Sequence, residues 1–368
     1  MSEIRVGIGI SSLADESRID GIGQYTANLQ QALTAQGGLH LQPMLYGGER
    51  PELRVARFKG SFSCNAVRAQ AGGRFELQGC APQVYHATDH RIPRLRNIPV
   101  VATLHDAVPF SHPHWANNRW RHLKNWMMHR SAGWADAVIC ISHAVVDDIV
   151  RYWNVPESRI SVIHHGVNME RFTACTPPEL NRVRALYCLP PSFVLFIGTL
   201  QPRKNLERLL DAHARLPVAT QKTSPLVIAG RAGWGDVGLQ ARLAQAVERE
   251  TVILTGYVAD ADIPALYQAA TVFALPSLHE GFGLPVLEAF ASRVPVLCAS
   301  AGALPEVAGD AACLVNPESV DDICDGLQQL LGSSELQARM IAAGYQRARQ
   351  FSWQKTAVQT AQLYHALV

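Results

Sequence analysis

Leu278-His279-Glu280-Gly281-Phe282-Gly283-Leu284-Pro285-Val286-Leu287-Glu288-Ala289 is the stretch around which the chain is organised. Two carboxylates, Glu280 and Glu288, stand eight residues apart with a Gly-x-Gly turn between them. Ahead lies the apolar run Ala270–Leu275, closed by Pro276, which reads as a buried strand. Behind it, Val286, Leu287, Phe290 and Ala291 recur at helical spacing. The glycines therefore bring bare backbone N–H groups to a helix start, which is an anion site. A carboxylate on each side accepts hydrogen bonds from hydroxyls. A phosphate flanked by hydroxyl acceptors points to a sugar carried on a phosphate.

The rest of the chain repeats a strand–loop–helix pattern. Ile4–Ile10 is a first strand, followed by Asp20-Gly21-Ile22-Gly23-Gln24 and a helix with Leu29, Ala32 and Leu33 on one face. Unalternating apolar runs at 83–86, 100–104 and 137–142 read as parallel strands covered on both faces. Ser142 is placed to cap a helix from His143. The pattern restarts with strands at 192–198, 226–230, 252–258 and 295–299. Strands alternating with helices throughout predict an α/β protein of two doubly wound, Rossmann-like domains. The boundary falls near residue 173, in the irregular stretch Thr173–Pro178, giving domains of 1–172 and 173–352 and a final helix over 353–368.

Three further clusters carry chemistry. Arg203-Lys204 sits in the loop after the 192–198 strand, where two cations can neutralise a diphosphate, Arg as a planar fork and Lys as a point charge, the alternative being a solvated basic loop. His105-Asp106 follows the 100–104 strand on the carboxyl side, where open sheets bind ligands. Gly21-x-Gly23 follows the first strand, as phosphate-binding glycine loops do, though it lacks the full dinucleotide fingerprint.

Glu280-x7-Glu288 with Gly-Phe-Gly-Leu-Pro between resembles the E-x7-E signature of the retaining glycosyltransferases of family 4, and the resemblance covers nearly the whole chain. It implies the GT-B fold, two Rossmann-like domains facing across a cleft, with the last helix crossing back to the first. The N-terminal domain would bind acceptor and the C-terminal one the nucleotide sugar. The implied reaction moves a hexose from a nucleoside diphosphate sugar with retention, the leaving phosphate taking the acceptor proton. His105, Arg203, Lys204 and Glu280 would be catalytic. Gly21, Gly23, Gln24, Gly230, Arg231, Tyr257, Val258, Phe282, Gly283, Leu284 and Glu288 would bind the donor. The cations and the helix start replace a metal, so neither metal nor cofactor is expected. The stretches 103–109 and 277–283 resemble those of bacterial mannosyltransferases that build surface polysaccharide. GDP-mannose or a related GDP-deoxyhexose is thus the expected donor, with a saccharide or lipid-linked acceptor. A UDP-hexose donor and a non-hydrolysing sugar-nucleotide epimerase are the alternatives; a catalytically silent scaffold fits poorly with the intact charged set.

Composition narrows the classes. The 368 residues carry a net charge of +2, which argues against a dedicated nucleic-acid binder. The eight cysteines show no C-x-x-C spacing and read as reduced core residues of a cytoplasmic protein. The N-terminus enters a strand directly, without signal-peptide character, and no apolar stretch is long enough to span a bilayer. Residues 112–134 hold four of the seven tryptophans and no acidic residue, which suits peripheral contact with the membrane's inner face. The competing reading is a helix that packs Trp126, Met127 and Trp134 on the sheet. Asp260-x-Asp262 looks like a metal-binding pair, but Asp262 is better read as a helix N-cap ahead of Pro264.

Overall fold

The computed structural model describes residues 3–14, 21–50, 52–115, 121–172, 175–231 and 237–368. Two compact units form: Met1–Gly166 with Ser352–Val368, and Val167–Phe351. The division after Gly166 lies a few residues before the boundary placed from sequence; of the stretch Thr173–Pro178, residues 173 and 174 lie outside the described residues.

The first unit holds an eight-stranded sheet. Its strands are β1 (Ile4–Gly9), β2 (Leu39–Tyr46), β3 (Ala56–Phe58), β4 (Leu77–Gln78), β5 (Val84–Ala87), β6 (Val100–Leu104), β7 (Ala137–Cys140) and β8 (Ile160–Val162). The spatial order is β4-β3-β2-β1-β5-β6-β7-β8, and every pair is parallel except β3 with β4. β5, β6 and β7 are buried along their whole length, as continuous apolar runs demand when helices cover both faces.

The second unit adds β9 (Val194–Ile197), β10 (Leu226–Ala229), β11 (Val252–Gly256), β12 (Val272–Leu275), β13 (Val296–Ala299) and β14 (Cys313–Val315). Their order is β11-β10-β9-β12-β13-β14, all parallel. This is the 3-2-1-4-5-6 order of the doubly wound dinucleotide-type sheet. The order reverses between β9 and β12, so the loops leaving those two strands open side by side at the ligand-binding edge.

The helix Trp353–Leu367 belongs to the first unit and packs on the helix Gly21–Gln36. A buried polar chain holds it there. Tyr364 Oη lies 2.6 Å from His86 Nδ1, His86 Nε2 lies 2.8 Å from Thr103 Oγ1, and Thr103 Oγ1 lies 2.8 Å from Tyr25 Oη. Each buried polar atom thus finds its partner on another element, which joins two helices to β5 and β6. Gly166 lets the chain pass close: a Cβ there would fall 2.1 Å from the Trp353 nitrogen.

Local expectations changed at three places. Ser142 makes no side-chain cap, because the turn after it, His143–Val145, is a 3-10 turn rather than the start of an α-helix. Asp262 sits at the N-cap of the helix Ile263–Ala269 without capping it. Its carboxylate instead pairs with Arg182 and accepts from Tyr187 Oη at 2.9 Å. In the helix Arg121–Ala132, Met128, Ser131 and Ala132 are buried among the described residues, while Trp126 is about half exposed (49%). Residues 116–120 of that segment lie outside the described residues.

Candidate active site

The loops leaving β9 and β12 build the charged centre of the second unit. After β9 the chain turns through Pro202–Lys204, and Asn205 follows in the left-handed region at φ 60°. Asn205 fixes this turn by donating through Nδ2 to the Pro276 carbonyl at 2.8 Å and the Pro317 carbonyl at 2.7 Å. The Leu278 amide donates to the Arg203 carbonyl at 2.8 Å, so the two loops are stitched together by backbone as well.

Glu280 is the hub. Its Oε2 accepts from Arg203 Nη1 at 2.8 Å, and its Oε1 accepts from Lys204 Nζ at 2.5 Å and from Ser277 Oγ at 2.8 Å. Glu280 and Lys204 are buried, at 7% and 8% exposure. Burial pushes the Glu280 carboxyl upward, but the charges of Lys204 and Arg203 and the bonds from Lys204 and Ser277 outweigh it and bring it to about 2. Burial also draws the Lys204 ammonium below its usual value, against the pull of Glu280. Two cations and one carboxylate leave the cluster with a net positive charge, which suits an anion. The backbone beneath it is tightly filled. Gly302 (φ 57°) approaches so closely that a Cβ would lie 2.8 Å from the Glu280 carbonyl oxygen.

Beyond Glu280 the chain reverses at Gly283 (φ 111°), the N-cap of the helix Leu284–Ala291. No side chain caps this end, and a Cβ at Gly283 would strike Leu304 at 2.6 Å. Phe282 turns into the core, 3% exposed and edge-on to Phe351 at 5.9 Å, so only its backbone is available to a ligand. Glu288 lies in the second turn of the helix and accepts from Tyr267 Oη at 3.0 Å. Burial raises its carboxyl above the usual range, with the Tyr267 bond opposing.

Gly230 follows β10 at φ 146°, where a Cβ would lie 2.1 Å from the Gly198 carbonyl oxygen, so only glycine fits beside the β9 loop. Arg231 lies over the Tyr257 ring at 4.6 Å, and that ring is 61% exposed. Val258 beside it is buried. Residues 232–236, which continue the Arg231 loop, lie outside the described residues. The structure therefore brings Arg203, Lys204 and Glu280 into direct contact and sets Gly283 and Leu284 on the same loop as Glu280. Arg231 and Tyr257 form a separate pair past β10 and β11.

In the first unit, His105 follows β6 and is 7% exposed. Its Nε2 lies 3.0 Å from the Thr88 carbonyl oxygen, just past β5. A carbonyl only accepts, so Nε2 carries the proton and Nδ1 keeps its lone pair. The Tyr25 ring stands edge-on to the imidazole at 5.0 Å. Burial lowers the His105 pKa to about 4, so the ring is neutral near pH 7. Asp106 turns away and accepts from the Val108 amide at 3.1 Å. Gly21, Gly23 and Gln24 form the first turn of the helix Gly21–Gln36; Asp20, before them, lies outside the described residues.

Sequence reasoning passed over Ser277, Tyr267 and Thr88. Ser277 was legible in principle, three residues before Glu280 in the same loop. Tyr267 reaches Glu288, and Thr88 reaches His105, each from another strand's connection within its own unit, and no local pattern marks them.

Two parallel-sheet Rossmann-like units, the second with its charged cluster where the strand order reverses, define a GT-B protein. Solved structures agree: the sucrose-phosphate synthase of Thermosynechococcus elongatus superposes with a TM-score of 0.74 over 99% of both chains at 20% identity. The Glycosyltransferase Family 4 model matches residues 19–171, and the Glycosyl transferases group 1 model matches residues 189–347. The chain is 34% identical over 287 residues to O-antigen chain mannosyltransferase B of Escherichia coli, 77% of this chain and 74% of that one. It is 27% identical over 398 residues to the serotype-specific mannosyltransferase WbdA of Escherichia coli, spanning 95% of this chain and 46% of that protein. The chain belongs to glycosyltransferase family 4, the group 1 glycosyltransferases, a retaining and metal-independent family. Among the described residues, no helix is long and apolar enough to cross a membrane.

Proposed function

We propose that the protein transfers mannose, or a related deoxyhexose, from a GDP-sugar to a saccharide or lipid-linked saccharide in surface polysaccharide synthesis. The observation that carries this reading is the buried Arg203–Lys204–Glu280 cluster at the strand-order reversal. Both similar Escherichia coli proteins are named mannosyltransferases, which supports the choice of sugar.

In this reading Arg203, Lys204 and the backbone N–H groups at Gly283 and Leu284 hold the diphosphate. Charge builds on that group as the bond from the anomeric carbon to phosphate oxygen breaks, and preorganised donors stabilise it at the moment of reaction. The departing bond pair stays on the diphosphate. The acceptor hydroxyl bonds to the anomeric carbon on the same face, and its proton passes to the leaving phosphate. Glu280 accepts from donor-sugar hydroxyls, and Glu288 from the nucleotide ribose. His105 Nδ1 is an acceptor suited to a sugar hydroxyl. Gly21, Gly23 and Gln24 are assigned to the diphosphate, and Gly230, Arg231, Tyr257 and Val258 to the base and ribose. The acceptor's lipid portion would meet a membrane surface through the helix Arg121–Ala132, whose exposed Trp126 supports contact with an interface.

A thermal-shift panel of GDP-, UDP- and ADP-sugars tests the donor. A ligand at 100 times its Kd adds about 2.7 kcal/mol to native-state stability, so the true donor raises the melting temperature. GDP-mannose should give the largest shift; a shift confined to UDP-sugars would replace it with the UDP-hexose reading. Incubating the donor without acceptor and recovering an epimer would instead establish the epimerase.

A further inference from the structure

A cavity of about 460 Å³ opens at the amino end of β6, away from the carboxyl edge that carries His105. Four rises of about 3.3 Å separate the two ends of this strand, about 13 Å. The cavity is lined by Arg94, Asn97 and Pro99 from the β5–β6 connection and by Gly133, Trp134 and Asp136 from the turn before β7. Its volume lies within the about 300–1,000 Å³ of small-molecule sites.

One wall of the lining is fixed, and its polar groups are open to solvent. Asp136 is clamped to β6 from two directions: its amide donates to the Val100 carbonyl at 2.8 Å, and its Oδ2 accepts from the Val100 amide at 2.8 Å. That leaves Oδ1 as a fixed acceptor. Trp134 is partly exposed, with the Phe75 ring against it at 6.2 Å, and its indole N–H makes no hydrogen bond among the described residues. Asn97 is exposed in the left-handed region at φ 56°, and its side-chain amide likewise makes none among the described residues. Arg94 uses Nη1 on the Ala69 carbonyl at 3.0 Å and keeps further N–H donors.

One cation and one anion cancel, so the cavity does not select a phosphate or a nucleotide. It offers an aromatic surface, hydrogen-bond donors and one fixed acceptor. A ligand that matches has an apolar C–H face, many hydroxyls and no net charge, which describes a hexose ring. We propose that this cavity is a second saccharide-binding site, which holds a segment of the glycan away from its reacting end. The assignment rests on the reading of a saccharide acceptor. Its consequence is that longer acceptors are retained between additions.

The test uses the full chain with saturating GDP and a panel of α-linked mannotetraose, maltotetraose and chitotetraose, read by saturation-transfer NMR, with inorganic phosphate as a competitor. At least one oligosaccharide should bind, with a dissociation constant on the order of 1 mM. Trp134→Ala should weaken binding about tenfold or more. Asn97→Gly removes the amide while keeping the positive φ, and should weaken it in the same direction. Both variants should melt near wild type and keep the single-addition rate on a short acceptor, while polymer length falls. The proposal is overturned if no member of the panel binds, if binding survives both substitutions, or if phosphate displaces the sugar. A chain that moves no hexose yet binds oligosaccharide through Trp134 would refute the transferase reading and leave this site standing. Active transfer without Trp134-dependent binding would do the reverse.

Discussion

Replacing Glu280 with Ala separates what its carboxylate does for the fold from what it does for a ligand. The carboxyl titrates at 4.5 in its ordinary state and at about 2 here. That difference corresponds to about 3 kcal/mol of stabilisation of the native state. The folded value is the lower one, so the contribution is fully present above pH 4.5 and is lost as pH falls toward 2. Removing one partner of a buried pair costs about 3–5 kcal/mol, because the charge left behind has no counter-ion. Lys204, 8% exposed, is that charge. For a domain of this size each kcal/mol moves Tm by about 2–4 °C, so Glu280→Ala should melt about 6–20 °C below wild type at pH 7.5. Glu280→Gln keeps the shape but not the charge and should fall part of the way. A nucleoside diphosphate supplies the missing anion. GDP should therefore raise the Tm of Glu280→Ala by more than that of wild type, while sugar transfer is lost. The assay is differential scanning fluorimetry with and without GDP, beside a transfer assay. An unchanged melting temperature without ligand, a smaller GDP shift in the variant, or unchanged turnover would refute this account of the cluster.

Other consequences follow from buried groups elsewhere. His86 and His105 are held neutral, with pKa values of about 3 and about 4 against an ordinary 6.5. Protonation then favours the unfolded chain, so stability is full above pH 6.5 and declines below it, by about 2 kcal/mol for each histidine at pH 5. Urea titrations at pH 7.5 and pH 5 should show the loss in the first unit; equal midpoints would contradict it. Gly230→Ala places a Cβ 2.1 Å from the Gly198 carbonyl oxygen and should cost about 3 kcal/mol in a denaturant titration. Tyr267→Phe removes the hydrogen bond to Glu288, worth about 1 kcal/mol, and should raise the donor KM several-fold, leaving kcat little changed; an unaltered KM would remove Glu288 from the donor site.

Strands such as β6, β9, β10 and β12 were legible because each is a short, continuous apolar run bounded by turn residues. Their parallel pairing follows from burial on both faces. β3, β4 and β14 are only two or three residues long, too short for any periodicity to register. Arg203, Lys204 and Glu280 each stood out in the sequence as single residues, but the contacts that join them span 76 or 77 residues. What the sequence could not convey is that Glu280 pairs directly with both cations, or that Tyr267 carries Glu288. Such partners are chosen by packing in three dimensions. Phe282 makes the same point: its place in the signature says nothing of direction, and burial against Phe351 turns the ring inward. Asp262 and Ser142 show the limit of capping rules, because an available arginine and tyrosine outcompete a helix end for Asp262, and a 3-10 turn replaces the helix start after Ser142.

The most direct measurement is isothermal titration of GDP-mannose into the wild type and the Arg203→Ala/Lys204→Ala double variant, in EDTA throughout. Two hydrogen bonds to a charged group are worth about 1.5–3 kcal/mol each, so the double variant should bind about 100-fold more weakly or worse, while wild-type affinity is unaffected by the chelator. Undiminished binding by the double variant, or wild-type binding that appears only when manganese or magnesium is restored, would contradict the claim that these two side chains hold the diphosphate.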